Sequence, residues 1–179
     1  AEMTHELIYA GFGGQGILFA GKLLAYAAMM GEKEVSWLPS YGPEMRGGTA
    51  NCHVIVSDAP VSSPLVTSPT VLAVMNKPSF EKFEAAVKPQ GMIVRDSTLV
   101  DGEKKRTDIS YFDIPATKLA MDLGADKLAN MVLTGKLIRE SGILPMDLVL
   151  TALEKMIPPK KKSMVEVNKK MLLAGYDYE

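Results

Sequence analysis

Apolar positions fall into short blocks in the first half of the chain and into longer, helically spaced stripes in the second. Leu7-Ile8-Tyr9-Ala10 is an unbroken apolar run ending at Gly11, the pattern of a strand buried on both faces. A helical pattern follows from about Gln15 to Met30, with Ile17, Gly21, Leu24, Ala25 and Ala28 on one face. Small residues on that face predict a helix lying close to a sheet, with Gly31 as its C-cap. Glu34 to Leu38 reads as a second strand stopped by Pro39, and Ala50 to Val56 as a third. Asp58 to Pro69 reads as a loop. Val71 to Met75, Gly91 to Val94 and Ile109 to Ile114 read as further strands, with a turn at Asp101-Gly102-Glu103-Lys104. Pro78 to Val87 suits a helix with Phe80, Phe83 and Val87 inward.

Beyond Pro115 the period is helical throughout. Helices are expected at 117–123, closed by Gly124, and at 128–141, closed by Gly142. Pro145 opens another, with Leu148, Val149, Ala152, Leu153, Met156 and Ile157 on one stripe, broken by Pro158-Pro159. The last spans 161–174. This order predicts an α/β fold: a largely parallel or mixed sheet flanked by helices, with a helical C-terminal part packed on it. The 179 residues show no repeat and no linker, and a single domain over 1–179 is expected.

Composition narrows the chemistry. Hydrophobic residues make up 47% and charged residues 23%, which excludes a disordered or fibrous class. Twenty basic against 21 acidic side chains leave a net charge of -1, so no global pull toward nucleic acid or an anionic membrane is expected. Lys160-Lys161-Lys162 with Lys169 and Lys170 reads first as a solvated helix face and second as a docking face for an acidic partner; nucleic-acid binding ranks last. The lone Cys52 cannot form an internal disulfide, hold an iron–sulfur cluster or build a thiolate zinc site, and it is expected to be buried. His5 and His53 lie far apart, and no metal site is expected; His53 reads as a packed or edge histidine. Asn76-Lys77-Pro78 reads as a helix-entry turn. No apolar stretch of ~18 residues exists, so no membrane helix is expected. The start has no signal-peptide pattern, and a cytoplasmic location is the default expectation.

Two glycine-rich loops stand out. Gly11-Phe12-Gly13-Gly14-Gln15-Gly16 follows a strand and precedes a helix, where backbone N–H groups and the positive helix end favour an anion. A dinucleotide site would need an acidic residue at the end of the second strand, ~20 residues on. That strand ends Trp37-Leu38-Pro39-Ser40, and Glu32 and Glu34 stand at its beginning, which counts against NAD. The Gly-Lys-Ser/Thr of a nucleotide P-loop is also missing. A tight strand-to-helix turn and an anion site are equally compatible with this motif alone. The second loop, 40–51, carries Ser40 and Tyr41 before Gly42-Pro43, and Glu44 and Arg46 between that pair and Gly47-Gly48. Arginine offers bidentate contacts to carboxylate or phosphate. The alternative is a Glu44–Arg46 pair that stiffens the loop. In a parallel sheet both loops would sit at carboxyl ends of strands, where ligands bind.

Together, Gly-Phe-Gly-Gly-Gln-Gly at 11–16 and Ser-Tyr-Gly-Pro-Glu-Met-Arg-Gly-Gly-Thr-Ala at 40–50 resemble the gamma subunit of 2-oxoacid:ferredoxin oxidoreductases. The resemblance runs through Val-Ile-Val-Ser-Asp at 54–58, Ser-Pro-Leu-Val at 63–66, Met-Asn-Lys-Pro-Ser at 75–79 and Asn-Met-Val-Leu-Thr-Gly at 130–135. The second loop is most like the 2-oxoglutarate and 2-ketoisovalerate type. The resemblance implies a subunit of an enzyme that oxidatively decarboxylates a 2-oxoacid with thiamine diphosphate and magnesium. Such an enzyme forms an acyl-CoA and sends electrons through iron–sulfur clusters to ferredoxin. It implies alpha and beta partners, and in some forms a ferredoxin-like delta partner, that hold those groups, with no cofactor held by this chain alone and no complete catalytic set in it. Gly11, Gly13, Gly14, Gln15, Gly16, Ser40, Tyr41, Glu44, Arg46, Gly47 and Gly48 become the candidate ligand-contacting residues, with Arg46 as the possible contributor to catalysis. A stand-alone dinucleotide-binding oxidoreductase and a scaffold subunit without ligand contact are the competing readings.

Overall fold

The computed structural model describes residues 3–40 and 49–179. Six strands and six α-helices alternate, then give way to helix alone. β1 (Thr4–Phe12) leads into α1 (Ile17–Met30), β2 (Glu34–Ser40), β3 (Thr49–Ser57) and β4 (Val71–Val74). α2 (Lys77–Phe83), β5 (Met92–Asp96) and β6 (Ser110–Ile114) follow. The chain ends in α3 (Ala116–Asp122), α4 (Ala129–Ser141), α5 (Met146–Met156) and α6 (Lys162–Tyr176).

The strands form one sheet in the order β2-β3-β1-β4-β5-β6. β4, β5 and β6 run parallel to β1. β3 is the exception, antiparallel to both β1 and β2. The crossover through α1 therefore skips a position, and the chain returns as a hairpin to fill it. The expected mixed α/β sheet with helical C-terminal part is what the chain forms.

Alternation along each strand divides the core into two faces. Leu7, Tyr9, Cys52, Val54, Val71, Ala73 and Val94 face the α1 and α4 side. Ile8, Ala10, Ile55, Leu72, Val74 and Ile93 face Phe80, Val87, Val66 and Val100 on the other. All five residues predicted for the inner face of α1 are buried. α4 is buried continuously from Ala129 to Ile138, because it lies between the sheet and α6.

Several local expectations are corrected. Pro39 does not stop β2; it lies inside the strand, opposite Cys52. β2 is an edge strand, so a residue without an N–H costs no ladder bond on the open side. The helix over 78–87 closes as α at Phe83 and tightens to a 3₁₀ turn at Glu84–Ala86. Residues 101–104 are irregular chain and not a turn, held where the Gly102 carbonyl accepts from Arg95 Nη1 at 3.1 Å. The last helix packs on α4, in a second layer above the sheet. Gly124 and Gly142 close α3 and α4 in the left-handed region, as expected.

Candidate functional site

The first glycine loop occupies the end of β1. Gly16 is the N-cap of α1, with φ 76° and ψ 24°, and among the described residues no side chain caps the helix. Gly14 also has a positive φ, of 90°. An L side chain rarely adopts either conformation.

Gln15 fixes the turn from within. Its Oε1 accepts from the Phe12 N–H at 2.6 Å, and its Nε2 donates to the Met75 carbonyl at 3.1 Å. Met75 follows β4, the parallel neighbour of β1. The chain leaves β1 toward β2 on one side of the sheet and leaves β4 toward β5 on the other. The β1–β4 boundary is thus a topological switch point, the usual ligand crevice of an open α/β sheet. Both ends of the Gln15 carboxamide are engaged inside the protein, so its part is to shape the loop.

A second tie comes from α4. Asn130 Nδ2 donates to the Gly16 carbonyl at 3.1 Å. The Asn130 backbone carbonyl accepts from Thr134 Oγ1 at 2.7 Å and from the Tyr9 hydroxyl at 2.8 Å. These ties leave the N–H groups that open α1 without intrahelical partners, as at any helix start. A cleft of about 310 Å³ lies against them, lined by Phe12, Gly13, Gly14, Gly16, Ile17, Leu18, Phe19 and Ala50. Backbone donors and a helix dipole in such a cleft suit a phosphate or carboxylate.

The strand register brings the second loop to the same end. Phe12 pairs with Thr49, and Ser40 pairs with Asn51. Residue 40 is exposed at the tip of β2. Tyr41, Glu44, Arg46, Gly47 and Gly48 lie outside the described residues. The topology also accounts for the missing ribose acid. The neighbour of β1 on that side is the antiparallel β3, and the end of β2 stands one strand further out.

The remaining candidates are structural. Cys52 is fully buried, and its Sγ lies 3.7 Å from the Ile17 carbonyl as donor. Burial pushes the thiol up to about 12, against small opposite pulls from Trp37 and the Gly21 backbone. His53 is half-buried, and burial holds its imidazole below the usual histidine range. Its Nδ1 accepts from the Val66 N–H at 2.9 Å, which pins the 58–69 loop onto β3. Asn76 caps α2 by accepting from the Ser79 N–H at 2.9 Å. Among the described residues no group of three His, Cys, Asp or Glu side chains could hold a metal ion. Sequence reasoning gave Tyr9, Asn130 and Thr134 no site role, although the 130–135 motif of the resemblance contains Asn130 and Thr134. Asn130 and Thr134 share a face of α4, but nothing in spacing ties them to a loop 114 residues away.

The fold and the site define an α/β domain with a hairpin-interrupted sheet and a glycine turn at a helix start. The family model described as pyruvate ferredoxin/flavodoxin oxidoreductase matches residues 6–178, and the chain belongs to that family. It is 37% identical over 171 residues to the ketoisovalerate oxidoreductase subunit VorA of Methanothermobacter marburgensis, covering 94% of this chain and 35% of that protein. The chain thus spans about a third of the length of that relative. It is 32% identical over 179 residues to the 2-oxoglutarate synthase subunit KorC of Methanocaldococcus jannaschii, covering 98% of this chain and 94% of that one. A crystal structure of the keto/oxoacid ferredoxin oxidoreductase gamma subunit from Geobacter sulfurreducens superposes with a TM-score of 0.84. It shares 28% identity over 98% of this chain and 95% of that one. The resemblance stated from the two loops is borne out. No helix among the described residues is long and apolar enough to cross a membrane.

Proposed function

We propose that this chain is the gamma subunit of a 2-oxoacid:ferredoxin oxidoreductase of the 2-oxoglutarate or 2-ketoisovalerate type, acting in the cytoplasm and inactive alone. The carrying observation is the open N-terminus of α1 beside a preset glycine turn, with no acidic residue at the strand next to β1. In this reading the backbone N–H groups of Gly13, Gly14 and the first turn of α1 hold a phosphate or carboxylate, with CoA as the leading ligand. Ser40 borders the site, and Arg46 is the residue that would neutralise a phosphate or carboxylate of the ligand. Thiamine diphosphate, magnesium and iron–sulfur clusters belong to alpha, beta or delta partners, and the bound thiamine supplies the decarboxylation chemistry. This chain contributes binding, orientation and one wall of the site. Ferredoxin is reached through the complex.

The test is reconstitution with the partner chains. Dye reduction driven by 2-oxoglutarate or 2-ketoisovalerate and CoA is expected with this chain present and lost without it. Arg46→Ala is expected to lower kcat/KM by roughly 10- to 100-fold with assembly intact, the weight of one charge-assisted contact. Full turnover without this chain, or tight NAD(P) binding by the isolated chain, overturns the proposal.

A further inference from the structure

We infer that Asn130 is the residue that positions the glycine loop for its ligand, and that Tyr9 and Thr134 hold it in place. The inference rests on the reading that this loop takes the phosphate-bearing acyl acceptor. Gly16 is the last loop residue before α1, and its left-handed backbone sets the direction of the helix-opening N–H groups. Asn130 lies directly beneath it: a Cβ built on Gly16 would fall 2.3 Å from Asn130 Nδ2. The Nδ2–H bond to the Gly16 carbonyl holds the peptide that ends the loop.

Asn130 is in turn held. Tyr9 and Thr134 are both fully buried. Their hydroxyls lie 2.9 Å apart, and each lies within hydrogen-bond distance of the Asn130 carbonyl. Two hydroxyl protons serve three contacts, so the trio forms a closed chain joining β1, α4 and the start of α1. Burial pushes the Tyr9 hydroxyl far above the ordinary tyrosine range, so it stays a neutral donor. Among the described residues the buried Asn130 Oδ1 has no hydrogen-bond partner. An amide kept there at the cost of a bare acceptor is unlike a packing residue, since an apolar side chain of the same size would avoid that cost. Its retained function is the donor aimed at Gly16.

The test uses the assembled complex and the apparent KM for CoA. Asn130→Leu keeps the branched shape and the heavy-atom count, with somewhat more bulk, and removes the donor; it is expected to raise KM about tenfold while kcat at saturating CoA falls less than about threefold. Asn130→Asp is expected to show the same defect at pH 8, because a carboxylate has no donor for the Gly16 carbonyl. Thr134→Val is expected to move KM in the same sense by less. Parent KM in Asn130→Leu, or in Asn130→Asp at pH 8, overturns the inference. Gly14→Ala separates the underlying reading, since it strains the loop and leaves Asn130 untouched. If Gly14→Ala raises KM and Asn130→Leu does not, only the positioning role fails. If neither variant moves KM, the loop does not take CoA and both statements fall.

Discussion

At the scale of single residues, the chemistry-bearing side chains mostly serve the backbone. Gln15 looked like a ligand contact in sequence, yet both ends of its carboxamide close the loop. Cys52 is the plainer case. Its sulfur sits where a Cβ on Gly21 would come within 2.3 Å, so it fills the joint between α1 and β3. Burial disfavours the thiolate and lifts the folded pKa to about 12. The sign follows: the raised value contributes stability that is complete below the unfolded thiol pKa of ~8.5. That contribution is lost as the pH rises from there toward about 12. A thiol reagent at pH 8 should therefore label the native chain about three orders of magnitude more slowly than the denatured chain. Ellman's assay with and without denaturant reads this directly, and equal rates would show Cys52 to be accessible.

At the scale of elements, the close crossing of α4 and α6 decides how the C-terminal helices stack. A Cβ on Gly135 would fall 2.0 Å from the Leu172 carbonyl oxygen, and one on Gly175 would fall 1.8 Å from that of Val132. Both obstacles are backbone, so the helices would have to part. Gly175→Ala should destabilise the chain by about 2 kcal/mol or more, since relief requires a backbone shift. Thermal unfolding should show a Tm lower by roughly 4–8 °C, and an unchanged Tm would mean the helices separate freely. Periodicity made these helices legible, because a buried face repeats in sequence. The place of Gly135 and Gly175 at the crossing was not legible, because nothing local distinguishes a glycine at a crossing from one tolerated in a helix. Pro39 was misread for a related reason. A proline ends a central strand but not an edge strand, and edge position is a property of the whole sheet.

At the scale of the molecule, the decisive feature is the insertion of β3 between β1 and β2. Strand spacing alone suggested the familiar glycine-turn arrangement, and the absent acid was the one local sign against it. The structure supplies the cause, since the second strand never borders the first. The two loops were readable from their residues, whereas the Tyr9–Asn130–Gly16 chain joins parts that only folding brings together. This topology bears on domain organisation as well. The core faces on the two sides share β1, β3, β4 and β5, and the α4 side reaches from Leu7 to Leu172. Neither side can open without exposing strands that the other side needs buried. The alternation of one strand onto both faces couples them. The chain should therefore unfold as one cooperative unit despite its helical second half. Calorimetry is expected to give one transition with calorimetric and van't Hoff enthalpies in agreement, and far- and near-ultraviolet circular dichroism should change together. A separate early melting of α5 and α6, seen as helix loss before the loss of Tyr9 and Trp37 packing signals, would divide the chain into two units.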